Sequence, residues 1–445
     1  MPPFSFTIRK KLAARSGSDA GSGAPAPAPL GRLGTLVTPH GVIETPSFVV
    51  VGTKATVKAL LPEQVKALGA QVTLANTYHL YLQPGEALVK RAGGLHYFMG
   101  WHGPMMTDSG GFQAFSLGAA FGKNFSKIIA SVDEQGIGQE KKDDNDHRTR
   151  AQQAGVMVAD EPVGPMARVT EEGVEFKSYL DGSMHFFTPE KAIGIEHDLG
   201  ADMIFAFDEC TSPNAPREYQ REALERTHRW AARSLAEHER LGDVVPDPQS
   251  PAAAAGPYRQ ALFGIVQGGR FEDLRRESAR DIGAMAFDGF GIGGSFVKED
   301  MANAVRWVNS ELPEGKPRHL LGVGEPGDLF DAVENGCDLF DCVAPTRIAR
   351  NGTLYASDGR IHIENAAHRE DFSPIDAECD CYTCAHFTRA YLSHLYRSKE
   401  IDANILGSIH NVRFVVRLVD QMRAAIAAGT FYDMKDRFMK RYYHA

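Results

Sequence analysis

The chain carries six cysteines, and three of them fall within six positions, in the run ECDCYTC, as Cys379, Cys381 and Cys384. Thiolates spaced C-x-C-x2-C converge readily on one soft cation. A structural zinc takes four ligands in a tetrahedron, so a fourth thiolate or imidazole is needed. Three histidines follow before the C-terminal tail. His386 stands two residues past Cys384, too near to close the shell; His394 lies in RAYLSHLYR; His410 lies in ILGSIHNVRFVVRLVDQM, the opening of a long amphipathic segment. A knuckle clamped to the start of a helix is a sound zinc geometry, but spacing alone leaves the choice of histidine open. Four protein ligands leave no vacant position, which makes such a zinc structural and not catalytic.

Three aspartates form a second constellation. Asp108 ends the apolar part of MMTDSGGFQ, Asp208 that of FAFDEC and Asp341 that of LFDCVAPTR. A carboxylate at the end of an apolar run is costly unless it is paired or used. One alone would serve as a helix cap or an ion-pair partner; three, beside VQGG and GIGG, point to a site. Paired carboxylates suit glycosidic chemistry, in which one attacks the anomeric carbon and the other handles protons. The glycines let a flat ligand approach the backbone. Gln267, in GIVQGG, offers an amide donor and acceptor matched to a nucleobase edge.

These side chains need a scaffold that gathers strand ends. Short apolar runs, each followed at once by polar or glycine-rich residues, recur at 71–80, 104–112, 201–210, 261–269, 287–294, 319–326 and 337–347. Helical patterns separate several of them, as in 216–238, 270–286 and 326–336. Apolar strands alternating with amphipathic helices predict a parallel sheet covered by helices. Polar groups collected past the strand ends favour a barrel with its site at that face; a doubly wound open sheet is the competing arrangement. Residues 15–30 are almost all Ala, Gly, Ser and Pro and read as a flexible loop. Residues 119–169 mix charges without apolar periodicity and read as a solvated insertion, and 242–257 as a loose connection.

The totals set limits. A chain of 445 residues suits one large domain with a smaller one, and 43% hydrophobic and 24% charged residues are ordinary for a globular protein. No run approaches the apolar length of a membrane helix, and the N-terminus does not read as a signal peptide. The cysteines follow no secreted framework, which places the chain in the cytoplasm with reduced thiols. A net charge of -9 argues against indiscriminate coating of nucleic acid. From Arg347 onward, however, 14 Lys and Arg face 12 Asp and Glu, which leaves room for a local basic surface.

In order along the chain, TDSGGFQ, FAFDEC, FGIVQGG, GVGEP, FDCVAPTRIARNG and CDCYTC with a later histidine resemble the tRNA-guanine transglycosylases, the queuine tRNA-ribosyltransferase family, in its bacterial form. Each motif is weak alone; the ordered set is specific, running from about Arg32 past His410 with breaks at 119–169 and 242–257. The resemblance implies a (β/α)8 TIM barrel with a C-terminal zinc-binding subdomain, the α/β class already expected. It divides the chain into an N-terminal segment (1–31), the barrel (32–350) and the C-terminal subdomain (351–445). It further implies a homodimer that exchanges guanine at the wobble position of a tRNA anticodon loop.

Carried over to this sequence, Asp341 would be the nucleophile at ribose C1′ and Asp108 the general acid and base. Asp208, Gln267 and the Gly294 backbone would hydrogen-bond the base, Phe112 would stack on it, and Cys210 and Leu321 would line its pocket. Arg347 and Arg350 would contact the anticodon loop, and Cys379, Cys381, Cys384 and His410 would hold one zinc. Ser295 and Phe296 depart from the usual pattern after Gly294, and Leu321 replaces a common Met. Cys210 is typical of bacterial members, which favours the 7-deazaguanine preQ1 as incoming base over queuine or preQ0. A non-catalytic tRNA-binding paralogue is the alternative; such chains lose the carboxylates, and here all three are present.

Overall fold

A computed structural model of the chain describes residues 3–15, 28–118, 128–129, 167–294, 296–297 and 300–444. Most of the 15–30 and 119–169 segments, Ser295, and the side chain of Phe296 lie outside the described residues.

Eight strands close into a barrel: β1 (Ser47–Val51), β2 (Thr73–Asn76), β3 (Met105–Asp108), β4 (Met203–Phe205), β5 (Ala261–Val266), β6 (Gly289–Ile292), β7 (Arg318–Leu320) and β8 (Leu339–Cys342). All neighbours are parallel and follow chain order, and β8 pairs with β1 to shut the ring, Asp341 opposite Val49. Helices cross between consecutive strands, among them Arg217–Leu241, Glu272–Gly283, Met301–Glu311 and Pro326–Glu334. The open sheet is thereby excluded.

The pleat explains the continuous apolar strands. Side chains alternate between the barrel interior and the helical layer, so both faces must be apolar. On β5, Ala261, Phe263 and Ile265 join the interior cluster, while Leu262 and Val266 join the cluster beneath the helices. β1 divides likewise, Val49 and Val51 inward, Phe48 and Val50 outward. Bulky interior rings need gaps opposite: a Cβ on Gly289 would lie 2.5 Å from the Phe263 ring.

The lower end, where the strands begin, is closed by an antiparallel sheet of Ser5–Lys11, Arg32–Thr38 and Gly41–Thr45, whose Leu36 and Ile43 complete the interior core. Asp202, one residue before β4, pins this sheet. Its Oδ1 accepts from the His40 backbone N–H at 3.2 Å and meets His40 Nδ1 at 2.7 Å; its Oδ2 accepts from Met105 N–H at 2.9 Å and meets His96 Nε2 at 3.2 Å. Burial acts to raise this carboxyl, but the His40 and His96 hydrogen bonds prevail and draw it down to about 2.

Past β8 the chain forms a short helix (Ala344–Arg350), a hairpin (Thr353–Ala356 with Gly359–His362) and two small helices (Tyr382–His386, Arg389–Arg397). Leu354, Ile363, Ile375, Leu392 and Leu395 give this region a core of its own. The 28-residue helix Ile401–Ala428 serves both cores. Ala403 and Leu406 join the small one, whereas Ile409, Val412, Val415, Val416, Val419 and Met422 join the barrel's outer layer, against β1. Asn411 fixes its rotation: the buried amide donates to Pro345 and Thr353 carbonyls at 3.1 and 3.0 Å and accepts from Tyr355 N–H at 3.0 Å.

Candidate active site

The upper rim is where the β-strands end, and each of the three aspartates sits there. Asp108 is the last residue of β3, Asp208 follows β4 by three residues, and Asp341 is the third residue of β8. Gln267 directly follows β5, Gly294 lies two residues past β6 and Leu321 one past β7. Chain order around the barrel therefore sets Asp108, Asp208, Gln267, Gly294, Leu321 and Asp341 on consecutive strands of one rim.

Each carboxylate is held. Asp108 Oδ2 accepts from Asn76 Nδ2 at 2.5 Å and Oδ1 from the Thr77 backbone N–H at 2.9 Å. Asn76 ends β2 and also caps the following helix Thr77–Leu82, so the neighbouring strand fixes the carboxylate plane. Asp208 Oδ2 accepts from Gln267 Nε2 at 2.6 Å, and Oδ1 from Ser109 Oγ at 3.3 Å. The Gln267 carbonyl Oε1 is buried with no hydrogen-bond partner among the described residues. A buried acceptor left open beside a carboxylate suits a ligand bearing N–H groups along one edge. Asp341 Oδ1 accepts from the Gly322 backbone N–H at 3.0 Å and meets His319 Nε2 at 2.9 Å.

Backbone conformation completes the slot. Gly294 has φ +101°, which disfavours any side chain, and a Cβ on Gly293 would come within 2.7 Å of Gln267 Nε2. Arg275, wholly buried, donates to the Gly269 carbonyl (Nε, 2.8 Å) and the Gly293 carbonyl (Nη1, 2.8 Å), tying together the two glycine turns after β5 and β6. Phe112 stands on the helix Gly111–Gly118 that follows β3, half-buried, and Cys210 and Leu321 are buried.

A basic patch borders the rim between β8 and β1. Arg347 is exposed and Arg350 half-buried on the helix after β8. Lys54 and Lys58, which the sequence reading passed over, come up beside them from the segment after β1. Burial first, then the charges of Arg350, Arg347 and Lys54, hold Lys58 below the usual lysine range. Among the described residues none of these four forms an ion pair with a carboxylate. Four cations kept together without counter-charge suit a polyanion. Burial, then Lys54 and Lys58, lowers His79 nearby to about 4.

Sequence reasoning also missed Asn76, Thr77, His319 and Arg275. Asn76 and Thr77 close the apolar run 71–80, the same strand-end signal as the aspartates, and were within reach. Arg275 and His319 carry no such signal, because their contacts exist only once the ring is closed.

The metal-site expectation also has a geometric test. The ligand atoms of Cys379, Cys381, Cys384 and His410 lie within 4.8 Å of one another. His410 Nδ1 is 3.6 Å from Cys381 Sγ and 3.3 Å from Cys384 Sγ. Tetrahedral zinc spans about 3.6 Å between a thiolate and an imidazole ligand. His410 Nε2 points at the Tyr355 carbonyl, 2.5 Å away, so its proton sits there and the Nδ1 lone pair faces the thiols. Hydrogen bonding with Cys379 and then Cys384 draws the Cys381 thiol down, while the same exchange pushes Cys384 up. His386 and His394 are exposed and take no part. The residues therefore form a Cys3His site that fits a metal such as zinc. His40, His96 and Asp202 at the lower end are also close enough to hold a cation, but both carboxylate oxygens already serve hydrogen bonds. A cavity of about 510 Å³ opens beside that trio, bordered by His197 and Tyr258 and touching none of the rim carboxylates.

The chain matches known proteins along nearly its whole length. The family model described as "Queuine tRNA-ribosyltransferase" covers residues 28–154 and 149–444. A protein of that name from Symbiobacterium thermophilum is 47% identical over 420 residues, 94% of this chain and 90% of the relative. Namesakes from Desulforamulus reducens (45% over 412 residues; 92% and 94% of the two chains) and Streptococcus gordonii (44% over 414; 92% and 93%) are similarly close. No helix among the described residues is long and apolar enough to cross a membrane.

Proposed function

The chain belongs to the queuine tRNA-ribosyltransferase family, and from that premise we propose that this pentosyltransferase exchanges guanine at the anticodon wobble position of tRNA for preQ1 by double displacement. The observation that carries the reading is the rim itself. Two separately clamped carboxylates, Asp108 and Asp341, flank an Asp208–Gln267 pair with an open buried acceptor.

In the first step an Asp341 oxygen attacks ribose C1′ and the bond to guanine N9 breaks, its electron pair leaving with the base. Asp108 gives the departing base a proton. In the second step Asp108 takes the N9 proton of the incoming base, whose nitrogen displaces the Asp341 ester. The carboxylate is regenerated and the glycosidic bond restored. Asp208, Gln267 and the Gly294 backbone would read the base edge, Phe112 would cover its face, and Cys210 and Leu321 would fill its sides. A flipped-out base needs such a slot, and an anticodon loop is single-stranded, hence cheap to open. Arg347 and Arg350, with Lys54 and Lys58, would take the loop phosphates. Bound zinc would fasten the C-terminal subdomain and stand outside the reaction. A cytoplasmic location, where thiolate ligands stay reduced, belongs to the same proposal, and so does a homodimer, to be tested by a solution mass near twice 48.6 kDa.

The test is exchange of labelled guanine into a tRNA with a GUN anticodon, with preQ1, preQ0 and queuine as competitors. Wild type should incorporate label and Asp341→Asn should not, a loss of at least about 10³-fold. preQ1 should compete best. Undiminished exchange by Asp341→Asn removes the covalent reading, and queuine competing equally well removes the assignment of the base.

A further inference from the structure

The rim holds a histidine that no step above employs. His319 is the middle residue of β7, fully buried, with Gly291 of β6 and Leu339 of β8 opposite it in register. Neither neighbour is titratable. The Phe205 ring lies 5.5 Å away on the interior side. Nε2 is 2.9 Å from Asp341 Oδ1, while Nδ1 is buried without a hydrogen-bond partner among the described residues. The tautomer follows from that asymmetry: the proton sits on Nε2 and is donated to the carboxylate.

The geometry assigns His319 as the positioning residue for Asp341, acting with the Gly322 N–H on the same oxygen. This inference rests on Asp341 being the nucleophile. Two donors meeting on Oδ1, from β7 and from the turn after it, fix the carboxylate's rotation about its Cβ–Cγ bond. They thereby fix the line along which it meets C1′, and alignment of this kind is worth orders of magnitude in rate. The same donors act on the second displacement. As the incoming nitrogen breaks the C1′–O bond, the electron pair returns to the aspartate, and negative charge grows on a group already facing two N–H donors. Hydrogen bonds to an anion are stronger than those to an ester, so they favour departure. The turnover of the covalent intermediate thus depends on a residue that never touches the tRNA.

The experiment compares wild type, His319→Phe, His319→Gln and Asp341→Asn in guanine exchange, with denaturing gels to trap the tRNA-linked chain. Gln places an amide N–H close to the position of the imidazole Nε2–H; Phe keeps the volume and removes the donor. His319→Phe should lose about 10- to 100-fold in kcat with the KM for tRNA within about twofold. Its covalent species should accumulate above the wild-type level. The acid limb of its pH profile should move up by about 0.5 to 1 unit, because an anion without its donor binds protons more readily. His319→Gln should recover most of the rate. If His319→Phe does not fold, His319→Asn, too short to reach Asp341, replaces it. Wild-type rate and profile in the donor-less variant, with Asp341→Asn inactive, overturn the positioning role alone. Activity in Asp341→Asn overturns the nucleophile first.

Discussion

At the scale of single residues, the rim separates what type and position reveal from what closure creates. The aspartates were legible because a carboxylate ending an apolar run is conspicuous wherever the strand goes. Glu196 was not. In sequence it is one acid in an amphipathic helix, Pro189–Leu199. In the structure it is fully buried behind β3 and β4, its Oε1 accepting from Thr107 Oγ1 at 3.2 Å and Phe205 N–H at 3.1 Å. Burial pushes its carboxyl well above the ordinary value of 4.5, and the charge of Asp108 adds to this. The folded state thus holds a proton that the unfolded chain releases. Stability from this group is complete below about pH 4.5 and is lost as pH rises toward the folded value. Glu196→Gln, neutral at every pH, should therefore raise the unfolding midpoint at pH 8 by roughly 1–2 °C, the effect of about 1–2 kcal/mol on a chain of this length. The gain should vanish near pH 4. Thermal scans at the two pH values check this, and an equal gain at both would mean that the proton plays no part.

At the scale of elements, the Cys3His site joins the small helix Tyr382–His386 to the long helix Ile401–Ala428. Cys381 caps the first, accepting from Cys384 N–H at 3.3 Å, while His410 rides on the second, one residue before Asn411. Loss of a metal bound there would therefore free a helix that also lines the barrel. His410→Ala should drop zinc from about one per chain to well under half and lower the unfolding midpoint by roughly 5–10 °C. Metal analysis paired with calorimetry tests both, and an unchanged midpoint in a metal-free variant would dissociate the site from stability. The three cysteines were legible because metal spacing is local. Spacing alone did not choose the histidine; the family resemblance pointed to His410, and the packing of the long helix puts that residue, not His386 or His394, beside the thiols. Alternation of strands and helices likewise announced a parallel sheet, but not its closure, which depends on β8 meeting β1 across nearly 300 residues.

At the scale of the whole molecule, an acidic chain carries a basic mouth. The net charge of -9 conceals the grouping of Lys54, Lys58, Arg347 and Arg350, because two of these come from each end of the barrel's sequence. Binding of tRNA should weaken linearly in log–log fashion as salt rises, with a slope of about -0.7 per loop phosphate engaged. Lys58→Ala should reduce that slope by roughly 0.7 without changing which base is inserted. A salt dependence identical to wild type would place the phosphates elsewhere. The adjacency of chain ends has a further consequence, for the order in which the protein can come into being. Strand β1 is made nearly 300 residues before β8, yet it pairs with that strand on one side and is covered by Ile401–Ala428. A nascent chain arrested anywhere before Leu339 lacks the strand that completes the ring, and one arrested before Ile401 lacks the helix that shields Phe48 and Val50. The barrel therefore cannot close before Leu339–Cys342 and Ile401–Ala428 have been made, and until then the apolar face of its first strand lacks the partners that bury it.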